Sequence, residues 1–569
     1  MIVPEHNPNG EPGGPFNIFD ISWVDPANRL YYVTDRIGLD VPAFSTVSNI
    51  ALFAIGGDNS VAEAGNNASP CFVDNTTSPP TTIPPITTAQ GNFTRFGCKT
   101  GVFRLPGFFG PNGHFGGFVG GQCCASRANN LNPLTGPNGL EVTADGNFAF
   151  IGNGSSSVAV FDMRATLANP ATAPTVIATV VTGTSADYDG IPDGITGCMQ
   201  SANGRAFSDP TCGDLRGDEL STGVATAPDG TKHLLVLVTN GDPGLPFATI
   251  FDATNIVNGT GTPQQQHCLP VNPGAPYSPG GPNTTFAQNL SSCILGQIYY
   301  DASPANNIDT VVDDDPAGAN AGIPCPNPSL EFAFPPGGTR VAVPSGASGH
   351  GVGVDGADVP CHRAAFITAF GATEVALAGL GGSVFNPNTG HFLLTNGNAS
   401  NDITLGTVDE IDPFHTFEGG PPNGVPAVIN SFPIFSCMPT GLSLGPGTDV
   451  LVGCADHDGR AFAPTTVIIN GTTGEVLTTI NNVGSVDQTW FNPGDNRYYL
   501  AARDMPTGPV LGVIDGKTRQ WLQNVPTNGN AHSVAADPIN NHIFVPLPAG
   551  SANCQSAQQD GCVGVYARD

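Results

Sequence analysis

Residues 489–503 read TWFNPGDNRYYLAAR. A β-branched and aromatic run, a turn of Asn, Pro, Gly and Asp, and a second run rich in Tyr and Leu predict two antiparallel strands joined by a tight turn. The same unit recurs along the chain as SWVDPANRLYYVTDR from Ser22, LEVTADGNFAFIGNG from Leu140, VATAPDGTKHLLVLVTNG from Val224, SVFNPNTGHFLLTNG from Ser383, LSLGPGTDVLVGCA from Leu442 and SVAADPINNHIFVPL from Ser533. Its turn prolines Pro446, Pro493 and Pro538 are spaced by about 45 residues, the period of a four-stranded propeller blade. Seven copies therefore predict an all-β fold, a seven-bladed β-propeller forming a single domain over residues 1–569.

Seven blades of that size need roughly 315 residues. The excess falls at about 45–135, 165–215 and 255–380, stretches rich in Pro, Gly, Thr and Cys that read as long disulfide-pinned insertions. A closed propeller hides its sheet edges by joining its two ends in one blade, so residues near Met1 to Phe19 are expected to complete the last one.

Composition agrees with this reading. Gly 74 and Pro 53 disfavour helices, and only 11% of residues are charged. The net charge of -29 sets a field that repels phosphates and anionic lipids, which excludes nucleic acid and membrane surfaces as partners. A membrane-spanning run is missing as well: the longest apolar stretch, Ala364 to Phe385, is broken by Thr368, Glu374 and glycines.

Fourteen cysteines without a CxxC suggest structural disulfides. Local order suggests Cys198 with Cys212, Cys268 with Cys293, Cys325 with Cys361, Cys437 with Cys454 and Cys554 with Cys562, leaving Cys71, Cys98, Cys123 and Cys124 for two more. Asn-x-Ser/Thr acceptors, such as Asn258 and Asn470, make the chain a glycoprotein candidate. These features place the protein outside the cytosol, extracellular or periplasmic, with its signal peptide missing from this numbering.

The turn-and-strand units resemble the YVTN/NHL class of propeller repeats. FDISWVDPANRLYYVTDR, GDELSTGVATAPDG, CMPTGLSLGP and NGNAHSVAADPINNHIFVP also resemble a group of secreted, mostly bacterial propeller proteins. The resemblance covers the blade cores and not the insertions. It implies the fold, while propellers host many activities.

In a propeller, residues just before each innermost strand gather at one mouth of the central channel. In this chain those are Asp20, Asn138, Asp218 with Glu219, Gly382, Thr440, Asp487 and His532. The ring resembles that of lactonase-type propellers, which implies a divalent metal held by Glu219, Asn138, Asp20 and Asp487, with His532 as general base. Asp487 and His532 would then form the catalytic pair for lactone or ester hydrolysis on a small molecule. The same ring also reads as a polar shaft filled with water.

In SADYDGIPDG, Asp187, Asp189 and Asp193 have the D-x-D-G-x-x-D spacing of a calcium loop, which predicts a structural Ca2+; an Asx-rich surface turn explains the same residues. GLSLG at 441–445 matches a serine-hydrolase string but lies inside a predicted strand, so Ser443 is not taken as a nucleophile. Two non-catalytic alternatives remain: binding of a carbohydrate or other partner through the insertions, or self-association as an extracellular structural subunit.

Overall fold

The computed structural model describes residues 19–35, 137–153, 157–168, 175–182, 217–240, 247–269, 292–300, 378–398, 405–415, 425–455, 463–529, 531–548, 550–557 and 561–567, together with short strands between residues 49 and 105, 199 and 207, and 310 and 342. The fold is an all-β propeller.

Blade 1 contains Ser22–Asp25, Leu30–Asp35, Asn49–Ala54 and Val102–Leu105. Blade 2 contains Leu140–Val142, Phe148–Asn153, Ser157–Asp162 and Thr175–Val181. Blade 3 opens with Leu220–Thr226, Lys232–Asn240, Phe247–Asp252 and Ile294–Tyr300 and is extended by Ser329–Ala333 and Val341–Ala342. Blade 4 contains Ala378–Asn386, His391–Asn398, Leu405–His415 and Val425–Phe435. Blade 5 contains Met438–Leu444, Asp449–Ala455, Thr466–Asn470 and Val476–Ile480. Blade 6 contains Val486–Asn492, Arg497–Ala502, Val510–Asp515 and Trp521–Pro526.

The expected count of seven is corrected to six full blades. The copy at 533–547 builds only a three-stranded sheet from Ala535–Ala536, Ile543–Leu547 and Cys562–Tyr566, the closing sheet. The repeat signal marks the inner pair of strands in each sheet, so it counts hairpins and not complete blades. Residues 1–18, expected to complete the last sheet, lie outside the described residues. Each stretch assigned to an insertion also supplies outer blade strands, such as Thr175–Val181 and Ile294–Tyr300.

The turn of the repeat has a shared backbone solution. Arg29, Gly390, Asn496 and Asn541, at matching positions before the second strand, all adopt positive φ of 58°, 80°, 58° and 60°. Left-handed residues at that point match the twist of the hairpin, which is why Gly and Asn are frequent there.

The second strands are the most buried. Tyr31, Tyr32 and Val33, Leu235 to Val238, and Val450 to Val452 are shielded from solvent, and their side chains pack between neighbouring sheets. Complete burial of such a side chain contributes about 1.5–3 kcal/mol, so the apolar energy resides between the blades. The outermost strands of blades 5 and 6 face water, with Val476, Trp521 and Leu522 exposed.

The inner strands form a closed ring in which Ser22–Asp25 packs against both Leu140–Val142 and Ala535–Ala536. Closure is polar at the channel and aromatic outside it. Ser533 Oγ bonds Ser22 Oγ at 2.7 Å and Gln488 Oε1 at 2.6 Å. Tyr31 stacks on Phe544, Trp23 meets Trp490 edge to face, and Arg29 pairs with the buried Asp537 at 2.7 Å.

Three of the expected disulfides are formed: Cys268–Cys293, Cys437–Cys454 and Cys554–Cys562. The other expected pairs lie outside the described residues. Among the described residues, no helix is long and apolar enough to cross a membrane.

Candidate functional site

The channel mouth is assembled by the same contacts that close the ring. Asp20 precedes the first inner strand, and its backbone N–H donates to Thr34 Oγ1 at 2.7 Å. Asp487 is the second residue of the blade 6 inner strand, where the next N–H, of Gln488, donates to the carbonyl of His532 at 3.1 Å. The His532 ring stacks on Phe19 with centroids 5.0 Å apart, and its Nε2 lies 2.9 Å from the Phe19 carbonyl. A carbonyl only accepts, so Nε2 carries the proton of that bond and base chemistry would fall on Nδ1.

These anchors bring one ligand atom each of Asp20, Asp487 and His532 within 4.8 Å of one another. His532 Nε2 and Asp20 Oδ1 are 3.6 Å apart.

The other side of the mouth comes from blades 2 and 3. Asp218 N–H donates to the Thr239 carbonyl at 2.7 Å, and Asn138 Nδ2 donates to the Asp218 carboxylate. Asn138 Oδ1 is buried without a hydrogen-bond partner. Desolvation first, and then the charges of Asp218, Asp20 and Asp487, push the Glu219 carboxyl well above the usual carboxylate range. The carboxylates of both sides therefore share one field.

Arg503, at the end of the second strand of blade 6, answers that charge. Its Nη1 is 2.8 Å from Asp487 Oδ2, and the charges of Asp487 and then Asp20 strengthen its hold on its proton. Sequence reasoning missed it, although its place as the last residue of the repeat copy, where the second strand returns to the mouth, was a usable signal.

The remaining ring positions serve the scaffold. Thr440 Oγ1 donates to the Val486 carbonyl at 2.6 Å. A Cβ at Gly382 would meet Leu442 N and Thr440 O at 2.7 Å, so glycine there allows neighbouring inner strands to touch. Ser443 is buried within a strand, without the turn and helix of a nucleophile elbow. Asp187, Asp189 and Asp193, and with them the expected calcium loop, lie outside the described residues.

The donor set fits a divalent cation by its chemistry: carboxylate oxygens and an orphaned amide oxygen, with an imidazole beside them. With four carboxylates facing one guanidinium and one imidazole, the mouth has an excess of negative charge that a cation would offset.

No protein-family model matches the chain, and no curated protein matches it. Among solved structures it is similar to a chain in "Crystal Structure of Mitotic Checkpoint Complex", with TM-score 0.38 and 8% identity over 98% of this chain and 90% of that one. It is also similar to "Structure of Dos1 propeller", with TM-score 0.37 and 9% identity over 98% and 95%. The sheet topology, and not these distant likenesses, carries the fold. The resemblance to YVTN/NHL repeats has no family match behind it.

Proposed function

We propose that this propeller binds a divalent cation and a small neutral molecule at the channel mouth, with hydrolysis of a lactone or ester as the chemistry the residues suit best. The observation that supports it is the convergence of Asp20, Asp487 and His532 within 4.8 Å. Asp20, Asp487 and the orphaned Asn138 Oδ1 would hold the ion, with Glu219 joining once it has lost its proton. When bound, such an ion polarises a carbonyl and lowers the pKa of a coordinated water. His532, through Nδ1, would take the proton of the attacking water, while its Nε2 bond to Phe19 keeps the ring oriented. Arg503 would offset part of the Asp487 charge and give way to the ion there. The three disulfides fit an extracellular or periplasmic setting.

The test is elemental analysis of the purified protein beside an Asp20→Ala plus Asp487→Ala variant, followed by an ester and lactone panel. A metal lost with the variant, together with turnover lost on chelation, supports the reading; a mouth that takes up no cation sinks it.

One observation favours a second, non-catalytic reading. His532 already bonds Phe19, and Asp487 already pairs with Arg503, so the same residues serve closure of the ring. In that case the protein acts by binding or self-association, and mouth variants would change stability without changing any activity.

A further inference from the structure

A second cluster of metal-type donors lies in blade 4, on different strands from those of the mouth. His391 begins the second strand, Glu410, Asp412 and His415 are on the third, and Asn430 is on the fourth. His391 Nδ1 is 2.8 Å from Glu410 Oε1, and Asn430 Nδ2 donates to Glu410 Oε2 at 2.6 Å. A carboxylate accepts, so the shared proton sits on Nδ1 of His391 and its lone pair is on Nε2. That Nε2 faces Asp412 Oδ1 at 4.0 Å, and Asp412 Oδ2 faces His415 Nδ1 at 3.6 Å. Asp412 Oδ1 also accepts the Phe414 N–H at 2.8 Å.

Both longer separations exceed a hydrogen bond. Two ligands of a tetrahedral ion at about 2.1 Å stand about 3.4 Å apart, so each pair is only a few tenths of an ångström more open than ligation requires.

The backbone is shaped for this meeting. Residues three apart on a regular strand point to opposite faces. The pairing of the third and fourth strands is irregular between Asp412 and His415, as at a β-bulge, and the two side chains face one another. Phe414, between them, contacts the His233 ring of blade 3 at 5.4 Å. Side-chain exposure is 21% for His391 and 15% for Asp412 but 4% for Glu410 and His415, so the cluster opens to solvent on one side only.

We infer that His391, Asp412 and His415 form a second metal site in blade 4, taking Zn2+ through two imidazoles and one carboxylate, with Glu410 and Asn430 orienting His391. A carboxylate behind a ligating imidazole fixes its tautomer and raises its basicity. The set is more open than the mouth, whose donors already lie within 4.8 Å of one another; with His391 held by Glu410, it would close by rotation of the Asp412 and His415 side chains. Its role would be to clip the second and third strands of blade 4 together.

The experiment uses the full chain carrying Asp20→Asn and Asp487→Asn, so that uptake at the mouth cannot be read as uptake in blade 4. After chelation and dialysis, Zn2+ is titrated by calorimetry and Co2+ by its visible absorption. One Zn2+ per chain is expected. In the same background, His391→Gln or His415→Gln should weaken binding at least about 100-fold and Glu410→Gln about 10-fold. No uptake by the Asp20→Asn, Asp487→Asn protein overturns the proposal, as does uptake that the histidine variants leave unchanged. If those variants do not fold, X-ray absorption on the Zn2+-loaded background protein decides: two imidazoles in the scattering support the site, and none refutes it.

Discussion

Gln488 and Ser22, 466 residues apart, exchange two hydrogen bonds: Ser22 N–H donates to Gln488 Oε1 at 3.3 Å, and Gln488 Nε2 donates to the Ser22 carbonyl at 3.0 Å. The same Oε1 accepts the Val534 N–H at 3.0 Å. One amide thus joins blade 6, blade 1 and the closing sheet. Gln488→Ala would leave buried backbone groups without partners, each costing about 1–3 kcal/mol. A loss of about 3 kcal/mol by chemical denaturation is expected, with earlier proteolysis near blade 1; an unchanged midpoint would show that the apolar contacts alone close the ring.

Glu141 gives stability a pH dependence. It accepts the Thr222 N–H at 2.9 Å and the Thr222 hydroxyl at 2.7 Å across blades 2 and 3, yet burial pushes its carboxyl up to about 8. A folded pKa above the unfolded value means that the contribution is fully present below about 4.5 and is lost as pH rises through about 8. Glu141→Gln, which mimics the protonated acid, should melt close to wild type at pH 4.5 and several degrees above it at pH 9. Parallel melting curves across that range would contradict the assignment.

Arg503 competes with any cation for Asp487. Replacing it with Met removes the guanidinium 2.8 Å from that carboxylate and keeps most of the apolar stem. Calorimetric titration with a divalent cation should show binding several-fold tighter than wild type. Weaker binding would mean that Arg503 positions Asp487 more than it neutralises it.

Gly382→Ala should destabilise the ring by about 1–3 kcal/mol, since the added methyl meets backbone on the neighbouring inner strand and cannot be relieved by a side-chain rotation. Thermal melting of this variant beside Gly390→Ala separates crowding from backbone strain. A Cβ at Gly390 meets nothing within 4 Å, so its cost would come only from positive φ.

The sequence reading went furthest where the repeat sets the register. Thr489 to Arg503 announced its hairpin because alternation and turn chemistry are local. Asp20, Asp487 and His532 could be placed on one mouth because each stands at a fixed offset from an inner strand. The outer strands were hidden, since Thr175–Val181 and Ile294–Tyr300 lie in stretches whose spacing the repeat does not control. Gln488 and the pairing of Asn138 with Asp218 escaped for another reason: their partners are on other blades, and one sequence by itself shows no covariation. The blade 4 cluster escaped because an irregular pairing brings Asp412 and His415 together, and no periodicity marks it.

The junction of Ser22 with Gln488 and Ser533 also sets an order of events for synthesis. Blade 1 emerges from the ribosome first, yet the surface it must pack against is encoded more than 500 residues later, as in the Ser533–Ser22 bond at a separation of 511. Until then one face of the blade 1 sheet has no neighbour, and the growing chain is an open fan of sheets. Long-range contacts of this kind are slow to form and leave apolar surface uncovered while the chain waits. Closure of the ring therefore comes late, and a chain stopped before Ser533 would carry several intact hairpins but no finished ring.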